Sequence, residues 1–221
     1  MKKQTQPKAS QRTTLDWAVE LRPLLRKYKG RKHPLDYHNL YELIVLVILS
    51  SQMADDRINE LAPSFFRKYP TLKRLSSAHP EDLYEIIHSV RSSRKKAKWL
   101  VDIAKSAGDD AELPQTMAAL TAFPGIGRKS ANVIIRESGG QAEGIIVDLH
   151  VLRVVPRLGI ATEDRPQKVE EKLMGIFPQE SWNDVGMSLS FLGRELCRPT
   201  NPRCPECLLR SVCGHYHRST G

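Results

Sequence analysis

No cysteine occurs in the first 196 residues of this 221-residue chain, which excludes a scaffold stapled throughout by disulfides. The length is enough to bury a substantial core without them. Long hydrophobic runs are also missing. The longest, Leu43 to Leu49, falls far short of the roughly 20 residues a membrane-spanning helix needs and reads as a buried core element. No apolar stretch follows the basic, polar start Met1-Lys2-Lys3-Gln4-Thr5-Gln6-Pro7-Lys8, so it does not fit a secretory signal. Residues 1–12 are expected to form a disordered basic arm of a cytoplasmic protein. Alternating apolar and polar runs joined by tight turns are absent, which argues against a sheet, and no internal repeat organises the chain.

What the chain does have is helical spacing. Ile58, Leu61 and Phe65 share one face, as do Leu83, Ile86, Ile87 and Val90 after the start signal Pro80-Glu81-Asp82. The same spacing picks out Ala97, Leu100, Val101 and Ala104, then Val169, Leu173 and Ile176, then Trp182, Val185, Leu189 and Leu196. Each stripe needs a neighbouring helix to cover it. Short breaks with Gly or Pro separate the stripes, so the spacing predicts an all-α protein of about ten helices. A formal charge of +9, from 34 Lys+Arg against 25 Asp+Glu, favours a polyanion over a small neutral metabolite as partner.

Phe123-Pro124-Gly125-Ile126-Gly127-Arg128-Lys129-Ser130 reads as a turn between a short helix at 117–120 and a second helix over 128–138. Gly125 and Gly127 let the backbone bend and leave its N–H groups bare, and the helix that follows adds its positive N-terminal dipole, so a phosphate can rest on the turn. A Walker loop would need Gly directly before Lys-Ser, but Arg128 intervenes. A dinucleotide fingerprint would need a preceding strand, but a helix precedes. A plain interhelical turn remains an alternative. Lys129, in the first helical turn beside Arg128, is the candidate nucleophile, because a helix N-terminus, an adjacent cation and partial burial all disfavour its ammonium form; a simple phosphate contact is the other reading. Asp148 opens the helical stretch 149–158 as a natural N-cap. Its functional reading is a carboxylate that faces Lys129 and stabilises positive charge developing on a sugar. His150 fits a buried polar support, and Pro156 implies a kink or an early end to that helix.

The four cysteines, Cys197, Cys204, Cys207 and Cys213, are spaced C-x6-C-x2-C-x5-C. Without an export signal they read as reduced metal ligands rather than two disulfides. Thiolates suit zinc and iron–sulfur clusters alike.

With these residues in hand, the chain resembles the endonuclease III family of helix-hairpin-helix DNA glycosylases with AP lyase activity. The resemblance runs from about residue 35 to residue 214 and rests on 123–133, on Val-Asp-Leu-His at 147–150, on Ser-Ser-Gln at 50–52 and on the cysteine spacing. It implies a six-helix barrel with the hairpin over 35–142, and a second helical lobe made from 13–34 and 143–221. The cluster loop at 197–213 would hold [4Fe-4S], with zinc as the alternative. It also implies that Lys129 attacks the anomeric carbon of a flipped nucleotide and that Asp148 is the family's carboxylate. Gln52 would fill the gap left in the duplex. Double-stranded DNA with a damaged base or abasic site is the implied partner, bound by a monomeric, nucleoid-associated prokaryotic protein. Gly125, Gly127 and Arg128 at the hairpin, and Arg198 and Arg203 on the cysteine loop, are the expected backbone contacts.

One segment departs from the family. Where Gly-Leu-Tyr-Asn usually precedes Ser-Lys-Ala, this chain has Arg91-Ser92-Ser93-Arg94 before Lys95-Lys96-Ala97, so the apolar wedge and the aromatic are gone. The added charges, Arg94, Lys95 and Lys96 among them, are expected to grip DNA phosphates. Two further functions stay open on sequence alone: a module that binds damaged DNA without cutting it, and a monofunctional glycosylase for mismatched thymine or uracil.

Overall fold

The computed structural model describes residues 15–220; the arm expected at 1–12 lies outside them. Among the described residues the protein is entirely helical, with thirteen α-helices. None is long and apolar enough to cross a membrane. The helices beyond the expected ten are short ones. Leu21 and Pro23 divide the first stretch into α1 (Trp17–Glu20) and α2 (Arg22–Tyr28), and α5 (Leu72–Ser76) is a single turn capped by the Thr71 hydroxyl.

The apolar run becomes α3 (Leu40–Ser50), started by Asn39, whose side chain accepts from the Glu42 N–H at 2.9 Å. Leu43 to Leu49 are each no more than 4% exposed. A helix apolar all round must be enclosed, and burying each of these large side chains is worth about 1.5–3 kcal/mol. Around α3 pack α4 (Asp55–Lys68), α7 (Ser93–Ala107) and α9 (Arg128–Glu137). Further out, α5 and α6 (Pro80–Ile87) lie on α7, and α8 (Met117–Ala122) lies on α9.

The rest of the chain makes a second cluster of packed helices. Here α10 (Leu149–Leu158) lies along α12 (Trp182–Glu195), with α2 against α12 and with α11 (Pro166–Ile176) and α13 (Gly214–Thr220) against α10. Gly193 permits this closeness: a Cβ there would sit 2.8 Å from the His150 Cβ. Pro156 falls in the last turn of α10, which ends two residues later at Leu158, with Gly159 beyond it in the left-handed conformation.

Polar ties join the two sets of helices. Arg136 on α9 donates to the Asn183 carbonyl at 2.9 Å and to the Arg31 carbonyl at 2.9 Å. Arg194 on α12 donates to Asp55 at the start of α4, at 2.6 Å.

Candidate active site and DNA-facing surface

The hairpin folds as its residues require. Helix α8 ends at Ala122, the Ile126 N–H closes the turn onto the Phe123 carbonyl at 3.2 Å, and Gly127 is the N-cap of α9. Gly127 brings no side chain to the first-turn N–H groups, which therefore stay available to an anion. Gly125 is needed twice over. Its φ is +84°, and a Cβ there would meet the Trp99 ring at 2.4 Å. Trp99 of α7 is thus the floor of the hairpin.

Lys129 stands in the first turn of α9, surrounded by protein yet open to solvent. Burial pulls its pKa below the ordinary lysine value of 10.5; Arg194 acts in the same sense, while Asp148 and Asp55 oppose it. The net direction favours the neutral amine that a nucleophile must be. His33 is 7% exposed and is pushed down to about 4, first by burial and then by Lys129, so it is neutral near pH 7.

Asp148 caps α10, accepting from the N–H groups of His150 and Val151 at 2.9 Å each. Its other oxygen accepts from the Ser190 hydroxyl at 2.6 Å and lies 3.8 Å from Arg194 Nη2. Burial alone would raise this carboxyl. The Ser190 and Val151 hydrogen bonds, with His150 and Lys129 nearby, outweigh it and hold the pKa below the usual carboxylate value. The site therefore holds an ionised carboxylate, fixed by four donors or cations, within the field of a lysine biased toward its neutral form. Such a pair suits attack on an electrophilic carbon beside which positive charge develops.

Residues 45–179 match the HhH-GPD superfamily of base excision DNA repair proteins. Endonuclease III of Synechocystis sp. is 35% identical over 199 residues, covering 89% of this chain and 91% of that protein. The chain belongs to the endonuclease III family. The Bacillus subtilis endonuclease III is 37% identical over 182 residues, 81% of this chain and 83% of its own length. Among solved structures, a trapped endonuclease III–DNA covalent intermediate superposes with a TM-score of 0.83 at 30% identity, covering 92% of this chain and 96% of the other. As a member of this family the chain is a base-excision DNA glycosylase and AP lyase.

Against the family's usual segment, the basic stretch at 91–98 divides in two. Arg94 lies over the Tyr84 ring at 4.3 Å and Lys95 over Trp99 at 4.9 Å, both exposed. Lys96 does not join them. It is 3% exposed, and its Nζ donates to the Leu49 and Ser51 carbonyls at 2.8 and 2.7 Å. Its expected role as a phosphate contact is therefore wrong, because its position falls on the buried stripe of α7. Arg128 is also engaged: it donates to Glu170 at 2.8 Å and to the Glu143 carbonyl at 3.0 Å, clasping the hairpin helix to α11. Gln52 is exposed at φ +62°, in a turn beside Ser92 at φ +56°; the Arg91 N–H reaches Met53 Sδ at 3.4 Å.

All four cysteines are free thiols lining one cavity with Leu158, Leu192 and Tyr216. Burial, then the neighbouring Cys197 and Cys213, raises the Cys204 thiol, and burial raises Cys207. Among the described residues no three ligand side chains converge closely enough to hold a single metal ion. Arg157 donates toward Cys197 Sγ at 3.5 Å and to the Arg198 carbonyl at 2.7 Å, tying this loop to α10. Arg198 and Arg203 are exposed, with Arg203 paired to Glu206.

Sequence reasoning missed His33, Asp55, Ser190 and Arg194. Two of them carried a signal: Ser190 and Arg194 stand four residues apart on α12 and so share a face. His33 and Asp55 carried none, since only the fold brings them to Lys129.

Proposed function

We propose that this enzyme acts on duplex DNA that carries an oxidised pyrimidine or an abasic site, with Lys129 as nucleophile and Asp148 as charge stabiliser. A carbon inside a stacked duplex is unreachable, so the target nucleotide must be turned out into the cleft between the α3–α9 helices and the α10–α12 helices. In this reading 35–142 form the barrel lobe and 13–34 with 143–221 the second. The Lys129 amine attacks C1′, the C1′–N bond breaks and the base leaves with its electron pair, a proton replacing the lost bond. The amine then gives up its proton, the sugar ring opens, and an iminium forms between C1′ and Nζ. Loss of a C2′ proton expels the 3′ phosphate by β-elimination, and water releases Lys129. Asp148 stabilises the cationic sugar as the base departs.

The observation that carries this reading is the juxtaposition of Lys129, its pKa lowered, with the fixed Asp148 carboxylate. A module that only binds DNA needs neither, and a monofunctional glycosylase needs no amine at that point. Gly125 and Gly127, with the bare first turn of α9, would hold a phosphate, and Arg94 and Lys95 would add contacts beside the hairpin. The exposed Arg198 and Arg203 would do the same from the cysteine loop.

Cys197, Cys204, Cys207 and Cys213 fit a [4Fe-4S] cluster better than zinc, because they line an apolar cavity without closing on one point, as thiolates each bound to a different iron would. The four thiolates would hold the cluster, whose core would offset part of their negative charge, and Arg157 would tie the loop so braced to α10. The bacterial relatives and the DNA substrate fit a monomer working at the nucleoid in the cytoplasm.

The test is a panel of duplexes carrying thymine glycol, an abasic site, uracil or a G·T mismatch, assayed for strand breaks before and after alkali. Breaks without alkali on thymine glycol and abasic duplexes are expected. Breaks on uracil or G·T that need alkali would assign a monofunctional enzyme instead.

A further inference from the structure

The turn that carries Gln52 is held by a residue far away in sequence. Helix α3 ends at Ser50, and Ser51 turns the chain with its N–H on the Ile48 carbonyl. Gln52 then takes φ +62° and the Met53 N–H returns to the Ser50 carbonyl at 2.9 Å. A left-handed residue after a helix is usually Gly or Asn. A side chain as long as glutamine is held there only when its surroundings over-determine it.

Lys96 supplies that determination. Its ammonium reaches across from α7 and donates to the Leu49 and Ser51 carbonyls, one on each side of the bend. These are carbonyls of the kind a helix C-terminus leaves without partners, and they carry its negative dipole. A cation with more than one donor satisfies both needs at once. The arrangement is costly, because Lys96 is 3% exposed and burial pulls its pKa down to about 8. An apolar side chain would fill the same volume without desolvating a charge. The adjoining loop is set against the same turn through the Arg91 N–H and Met53, and Asp55, two residues on, is clamped by Arg194.

We propose that Lys96 is a positioning residue, whose buried ammonium fixes the Ser51–Met53 turn and so aims Gln52 at the space a flipped nucleotide vacates. The inference rests on Gln52 being the gap-filling side chain. It makes Lys96 a determinant of discrimination between damaged and intact duplex, and takes it out of phosphate binding.

The test compares Lys96→Met, Gln52→Ala and the double variant in the full-length protein, measuring affinity for a duplex with a tetrahydrofuran abasic analogue against the same duplex undamaged. Gln52→Ala should lower the preference for the abasic analogue by about tenfold, Lys96→Met by a similar factor, and the double variant no further, since both remove one device. Binding to undamaged duplex should not change. Lys96→Arg keeps a cation and its donors, guarding against a Met variant that fails to fold, and should restore the preference to within about threefold. If Gln52→Ala acts but the two effects multiply, or Lys96→Met weakens undamaged duplex equally, the inference fails while the reading of Gln52 stands. A silent Gln52→Ala overturns both. A folded Lys96→Arg that discriminates as poorly as Lys96→Met also contradicts the inference.

Discussion

Two helices of this protein open on nearly the same residues, and their charges go to different places. Helix α9 begins Arg128-Lys129-Ser130 and α7 begins Ser93-Arg94-Lys95-Lys96. On α9 the arginine turns back to Glu170 and the lysine lies within the field of Asp148. On α7 the arginine and first lysine lie over Tyr84 and Trp99 at the surface, and the second lysine is buried against backbone carbonyls. A run of positive charge therefore does not define a polyanion-binding face. The helical phase of each residue, and the groups on the neighbouring helix, decide whether a charge meets a carboxylate, a ring, a carbonyl or the solvent.

Substitutions can separate these destinies. The largest effect is expected at the partner that only the α9 lysine has. Asn caps a helix as well as Asp does, so Asp148→Asn should leave the fold and DNA affinity intact while slowing base release by ~10²–10³-fold. Equal losses of affinity and rate would refute its role. Because attack needs the neutral amine, the single-turnover rate should rise with pH and level off below 10.5, the ordinary lysine value. Asp148 raises the Lys129 pKa, so its removal should move that break to lower pH, a shift that pH–rate profiles of the two proteins would measure.

Next in size, Gly125→Ala should cost about 2–4 kcal/mol in thermal or urea unfolding, through left-handed strain and collision with Trp99. In a Trp99→Ala background the cost should shrink to the strain alone. Arg128→Ala should cost about 1–3 kcal/mol, since it strips a partner from the buried Glu170, and should leave the salt dependence of DNA binding nearly unchanged. Lys95→Ala should do the reverse, with little change in stability but a slope of log affinity against log salt smaller by about one. If Arg128→Ala changed the slope and Lys95→Ala did not, the contrast between the two helix starts would be reversed.

The helices, the hairpin and the capping position of Asp148 were legible because local chemistry determines them: apolar period, Gly and Pro breaks, and an acidic residue before a helix. The burial of Lys96 was legible too, had the stripe of Ala97, Leu100, Val101 and Ala104 been extended one turn back, where it reaches Lys96 and Ser93. Its charge masked its phase. The engagement of Arg128 depends on Glu170, 42 residues away, and no local pattern announces such a pairing. The same holds for His33 and Asp55, whose parts in the site arise only where the two sets of helices meet.

The most direct measurement is borohydride trapping on an abasic duplex, followed by mapping of the modified peptide. One covalent adduct is expected, located at Lys129 and abolished by Lys129→Ala, with Lys95 and Lys96 unmodified. An adduct that persists in Lys129→Ala, or that maps to the α7 lysines, would contradict it.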